Sequence, residues 1–139
     1  MEKKESILKN AGEDRPMAKG KASRVVFAVL AAIFAVCVAV QVFLAGLATF
    51  VDPLNWARHE SFVHMIEFVP LAMLGFGFAG RLARRLLWQA FGLFGLVLLM
   101  YFTANFTSVS PVVSALHPVV ALILSWLSVA VAVKGAKSA

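Results

Sequence analysis

The sequence predicts an all-α protein, a four-transmembrane-helix up-down bundle with both termini cytoplasmic. Three observations lead there. First, of 139 residues 61% are hydrophobic and only 14% charged, with a mean hydropathy of +0.87. A soluble domain is about a quarter charged and about 45–50% apolar, while a disordered chain needs low hydrophobicity and high charge. Second, the apolar residues fall into four blocks, each long enough to cross a bilayer. Third, the charges are segregated. Seven of the 13 Lys/Arg precede the first block (Lys3, Lys4, Lys9, Arg15, Lys19, Lys21, Arg24), three follow the second (Arg81, Arg84, Arg85) and two follow the fourth (Lys134, Lys137), which leaves Arg58 alone in the other connections. This is the positive-inside pattern. It accounts for the net charge of +6 without a nucleic-acid partner and predicts a multi-pass protein of the inner (plasma) membrane, its basic residues near anionic lipid.

Residues 1–23 read as a polar cytoplasmic tail with room for a short helix over roughly 2–10. The first span is expected over about 24–50, too long for a signal-peptide core of about 7–15 residues. Its Ala31, Ala35 and Ala39 form a small-residue stripe of the kind that admits a neighbouring helix closely. Asp52-Pro53 ends it, and 51–59 is expected as an outer loop with Trp56 as interface anchor. The second span is placed at about 60–79, closed by Gly80. The third, about 86–104, opens at Trp88 and contains Gly92 and Gly95. An uncharged outer loop covers 105–114. The fourth span, about 112–133, has Ser110-Pro111 as N-cap and first helical residue. Pro118 should kink it unless the helix proper begins at Ser114. Residues 134–139 form a second cytoplasmic tail. The single Cys37 excludes disulfide exchange through a paired thiol.

Ionisable groups inside spans are costly and point to function. Here they gather in the outer half. Glu60, His64 and Glu67 stand at i, i+4 and i+7 of the second span, on one helical face. His117 lies near the outer end of the fourth, and Gln41, Tyr101 and Asn105 complete a ring. At ~1.5 Å per residue, His64 is ~6–7 Å and His117 ~3–8 Å below the outer end of its span. Spans two and four run in the same direction, so they are expected as diagonals of the bundle, ~11–14 Å apart. That gap suits two imidazoles clasping a haem b iron, with Arg58 meeting the propionates and Phe62, Phe68, Phe102 and Phe106 against the ring. His59, in the loop, is the alternative to His64.

Glu67, two turns into its span, needs a partner or a proton. It could orient an imidazole or, protonated, bond Gln41. The same residues allow other chemistry. Glu60, His64, Glu67 and His117 are a possible Zn, Fe or Mn site, though a Glu-x-x-His pair is absent. Glu67 could instead serve a proton-coupled or quinone site. The ring could also merely stabilise the bundle of an accessory subunit, alone, as a homo-oligomer or within a larger membrane complex. No GxSxG, Walker loop, HExxH or paired-glycine nucleotide motif is present, so no catalytic residue is assigned.

VQVFLAGL (40–47), HESFVHMIEF (59–68) and LHPVVAL (116–122) together resemble a family of small four-span bacterial membrane proteins of unknown function, over about 40–133. The layout is also similar to one half of haem A synthase, a four-helix bundle with histidines on its second and fourth helices. That resemblance implies His64 and His117 as an axial pair, with Glu60 placed like a nearby acidic residue. It carries haem holding rather than catalysis.

The charge pattern makes orientation testable. A reporter fused after Lys137 should be active only as a cytoplasmic fusion, and a periplasmic reporter active at that position would overturn the assignment.

Overall fold

The computed structural model describes the backbone from residue 2 and side chains from residue 20 to residue 139. Among these residues every regular element is helical: α1 (Glu2–Phe50), α2 (Asn55–Ile66), α3 (Val69–Ala79), α4 (Arg84–Asn105), α5 (Pro111–Ser114) and α6 (His117–Ala136). Four stretches are long and apolar enough to cross a membrane: Gly20–Phe50, Asn55–Ala79, Arg84–Asn105 and Pro111–Ala136. Span two is thus α2 with α3, and span four is α5 with α6. Each span packs on its two neighbours in ring order, which leaves spans two and four as one diagonal and one and three as the other.

The boundaries differ from expectation where local chemistry extends a helix. The backbone of α1 is helical from Glu2, not only over 2–10. Once a long apolar helix is nucleated, adding turns at its end costs far less than starting a new helix. The side chains of Lys3, Lys4, Lys9, Arg15 and Lys19 lie outside the described residues. At the other end, Asp52 Oδ1 accepts from the Leu54 N–H at 2.9 Å and Asn55 Nδ2 donates to the Asp52 carbonyl at 2.9 Å. This tight Asx turn starts α2 at Asn55, so the expected loop 51–59 shrinks to 51–54. Ser110 does cap α5, accepting from the Val113 N–H.

Both even-numbered spans are broken. Pro118 sits in the first turn of α6, and the helix is interrupted between Ser114 and His117. Pro70 does the same for α3, separating it from α2 at Glu67 and Phe68. A proline nitrogen cannot donate to the carbonyl four residues earlier, so the ladder lapses there. Inside a membrane such a lapse is tolerated only where other groups re-satisfy the backbone or where it lines a polar site.

The core face of α1 is Phe27, Ala31, Phe34 and Val38, while Ala39 is exposed and Ala35 only partly covered. The alanine stripe is therefore not the packing seam. The larger side chains of the neighbouring face fill the bundle axis together with Met73, Ala90, Leu93, Val97 and Val131. Phe27 is wholly buried and needs two glycines to fit. A Cβ on Gly77 would come within 3.3 Å of its ring, and one on Gly135 within 3.1 Å.

The two ends of the bundle carry opposite charge. Lys21, Arg24, Arg81, Arg84, Arg85, Lys134 and Lys137 lie at one end, hereafter the basic end. Asp52, Glu60 and Glu67, the described acids, lie in the opposite half, the polar end.

Phe27→Ala should lower stability by about 2 kcal/mol, the cavity contribution alone, since lipid removes most of the transfer gain that the same change forfeits in water. Gly135→Ala should cost about 1–3 kcal/mol by overpacking against the Phe27 ring. Denaturant unfolding in detergent micelles checks both, and the double variant Phe27→Ala/Gly135→Ala should be less destabilised than the sum of the two.

Candidate functional site

The break at Pro70 leaves Glu67 as the residue that caps α2, on the seam between spans two and three. Opposite it on α4 stands Tyr101. The Tyr101 hydroxyl donates to Glu67 Oε2 and also meets His64 Nδ1 at 3.0 Å, while His64 Nδ1 and Glu67 Oε2 are 3.5 Å apart. Imidazole, phenol and carboxyl therefore form one chain. Its ends differ in exposure, since the His64 side chain is 56% accessible and that of Glu67 only 19%. Beyond Glu67 lies a cavity of about 230 Å³, lined by Glu67, Phe68, Phe94, Val97, Leu98 and Tyr101. Phe68 and Leu98 are more than half exposed, so the cavity is a groove on the membrane-facing surface rather than a chamber in the bundle.

A hydroxyl between an acid and an imidazole can pass a proton either way. With Glu67 ionised, the phenol donates to the carboxylate and accepts from His64 N–H. With Glu67 protonated, the acid donates to the phenol, which then donates to Nδ1. Either state satisfies Glu67, which answers the need for a partner raised by its depth. That partner is Tyr101 rather than Gln41.

Two further polar pairs are more buried than His64. Gln41 and His59 are tied reciprocally: Gln41 Nε2 donates to the His59 carbonyl at 3.1 Å, and His59 Nδ1 meets the Gln41 carbonyl at 3.0 Å. A carbonyl only accepts, so in the neutral ring Nδ1 carries the proton and Nε2 the lone pair. On the facing seam, His117 Nδ1 lies 3.0 Å from Thr103 Oγ1, which also meets the Leu99 and Met100 carbonyls. Thr103 Oγ1 has one proton for these three contacts, so His117 Nδ1 either donates to the hydroxyl or accepts from it, according to the tautomer. Gln41 Oε1 is buried without a hydrogen-bond partner. His59 is thus partly buried and anchored rather than solvated in a loop, and Thr103, fully buried, anchors the other imidazole.

The remaining expected residues are placed less centrally. Arg58 Nη1 donates to Asn55 Oδ1 at 2.7 Å, across one turn of its own helix. Glu60 is exposed, and Asn105 Nδ2 bonds the Tyr101 carbonyl at 2.9 Å. Among the described residues no three His, Cys, Asp or Glu side chains gather where one metal ion could be held, so Glu60, His64, Glu67 and His117 do not form a common ligand set.

A haem clasp needs two imidazoles facing each other across the bundle. Spans two and four are diagonal, as such a clasp requires. However, His64 is held by Tyr101 and His117 by Thr103, two residues apart on α4 and therefore ~200° around it. His64 faces lipid on one flank of α4 and His117 lies on the other. His64 and His117 are thus anchored to different faces of α4.

Residues 41–108 are similar to a family of unknown function, DUF6220. The matched segment contains Gln41, His59, His64, Glu67, Tyr101 and Thr103 and stops short of His117. No curated protein and no solved structure matches the chain.

Replacing Tyr101 by Phe removes the bridge without changing the ring. The infrared carbonyl band of protonated Glu67, identified by its loss in Glu67→Gln, should shift to higher frequency in Tyr101→Phe. An unshifted band would mean that the two groups do not bond in the membrane.

Proposed function

We propose that the protein is a multi-pass inner-membrane protein, both termini cytoplasmic, whose Glu67–Tyr101–His64 chain is a proton relay serving a quinone-class ligand in the adjoining groove. The carrying observation is the Tyr101 hydroxyl bridging Glu67 and His64 beside a groove open to lipid. A quinone carbonyl is an acceptor and a quinol hydroxyl a donor. Protonated Glu67 can donate to the first and ionised Glu67 accept from the second. The relay lets Glu67 change state without an uncompensated charge in the membrane, because the proton passes through Tyr101 to the exposed imidazole. The groove, at about 230 Å³, is smaller than the ~300 Å³ lower bound of enclosed small-molecule pockets. It accommodates a ring while an isoprenoid tail stays in lipid. Phe68 and Phe94 supply apolar walls to that ring.

A second reading is favoured by a different observation. Neutral His59 directs its Nδ1 proton at the Gln41 carbonyl and keeps an Nε2 lone pair, His117 keeps one on either ring nitrogen, and the Oε1 of Gln41, the partner of His59, is buried and unpartnered. In that reading a metal, haem iron included, is held through His117 and His59 rather than through His64.

One preparation separates these readings. Quinone extracted from protein purified in mild detergent should be near stoichiometric for the wild type. It should fall about tenfold, equivalent to ~1.4 kcal/mol, in Tyr101→Phe and Glu67→Gln, with His117→Ala unaffected. Quinone absent from the wild type, or retained equally by all variants, would sink the relay reading. A Soret band or a stoichiometric metal lost in His117→Ala and His59→Ala would establish the second. If neither ligand is found and the substitutions change only thermal stability, the polar ring is structural.

A further inference from the structure

We infer that the basic end of the seam between spans one and two is a seat for an anionic phospholipid, its phosphate at Arg81 and Arg24 and one acyl chain in the groove beneath. This is independent of the polar-end site. The groove, about 340 Å³, is lined by Ser23 of α1 and by Ala72, Gly75, Phe76 and Ala79 of α3. Two basic residues stand near the groove's end in sequence, Arg24 after Ser23 and Arg81 two residues after Ala79. Arg24 Nε donates to the Gly80 carbonyl at 2.8 Å, bridging the two spans where the groove ends. Arg81 follows Gly80 with a φ of 52°, the left-handed conformation that a non-glycine residue adopts only when its surroundings impose it.

Gly80 itself keeps a φ of −78°. It is instead glycine for lack of space. A Cβ there would stand 3.0 Å from Arg24 Cγ and 3.1 Å from the Phe76 carbonyl. The close approach of Arg24, on α1, passes the turn to Arg81, so a helix arginine and a loop arginine flank the same turn. Leu82, buried immediately after, holds the loop down.

Charge complementarity identifies the occupant. Lys21, Arg24, Arg81, Arg84, Arg85, Lys134 and Lys137 share this end, and no described acid lies in this half of the bundle. None of these cations forms an ion pair with a described acid. Guanidinium groups bind phosphate oxygens bidentately. An apolar groove leading from them down the helices suits an acyl chain, and a phospholipid joins the two chemistries in one molecule.

The test titrates phosphatidylglycerol, phosphatidylcholine or inorganic phosphate into the full-length protein in detergent and follows the thermal midpoint. Phosphatidylglycerol should raise the midpoint of the wild type at several-fold lower concentration than phosphatidylcholine, and inorganic phosphate should not raise it. Arg81→Gln, an exposed position, should keep the lipid-free midpoint and weaken the phosphatidylglycerol response several-fold. Gly75→Leu tests the groove separately. A Cβ at Gly75 meets no atom within 4 Å, so the variant can fold while its side chain occupies the acyl site, and it too should weaken the response. Equal responses to both lipids, or a full response in Gly75→Leu, would overturn the proposal; the latter with a weakened Arg81→Gln would mean a surface charge effect only.

Discussion

The bundle depends on how Phe27 is packed. Its ring lies at the basic end against Gly77 of span two and Gly135 of span four, so one side chain of span one holds three helices at close approach. In lipid there is little hydrophobic drive between helices, and close van der Waals contact has to supply the association. Small residues opposite a large, rigid one give that contact at little entropic cost. Phe34, Val38, Leu93 and Val97 continue the apolar column toward the polar end. The basic half is therefore packed tightly around the Phe27 ring, and the two proline interruptions of the chain fall farther toward the polar end.

Those irregularities have a common cause. Pro70 and Pro118 each interrupt the even-numbered spans toward the polar end, and an interrupted helix frees backbone carbonyls in a medium that offers no water. Polar side chains lie near both breaks: Glu67, Tyr101 and His64 by the first, His117 and Thr103 by the second. Glu67 is still helical, with φ −58° and ψ −30°, and keeps the face it shares with His64; the break that follows makes it the cap of α2, with Tyr101 of α4 within reach.

Much of this was legible from residue types alone. Four spans, their ring order and the Ser110 cap follow from block length, charge placement and capping chemistry, because each is a local or one-dimensional constraint. The depth of the polar ring also followed from counting residues. Which members of the ring pair did not, because pairing depends on rotation of each helix about its axis, and apolar residues on every face of a membrane span leave that rotation undetermined. Hence Glu67 has an imidazole or Gln41 as alternative partners from the sequence but not Tyr101, and His59 falls in a loop that the Asp52 turn in fact makes helical. One signal was available and unused. Pro70, three residues after the only deeply placed carboxyl, marks where that span must break, and a break beside a membrane acid is a candidate site in its own right.

The two polar clusters differ in what they can do because α4 separates them. Tyr101 and Thr103 serve opposite flanks of the same helix, one toward lipid and one toward the bundle axis. A proton moving along Glu67, Tyr101 and His64 needs no change in the His117–Thr103 or Gln41–His59 bonds. The converse also holds, since a metal or water satisfying Gln41 Oε1 leaves the lipid-facing groove untouched. A shared function would require α4 to rotate or shift, since both clusters are anchored to it within one turn. Helix rotation is opposed at the basic end, where α4 buries Leu86, Ala90 and Leu93 in the same core as Phe27. Any coupling between the clusters must therefore arise above that anchor, in the last turns of α4, where the helix ends at Asn105.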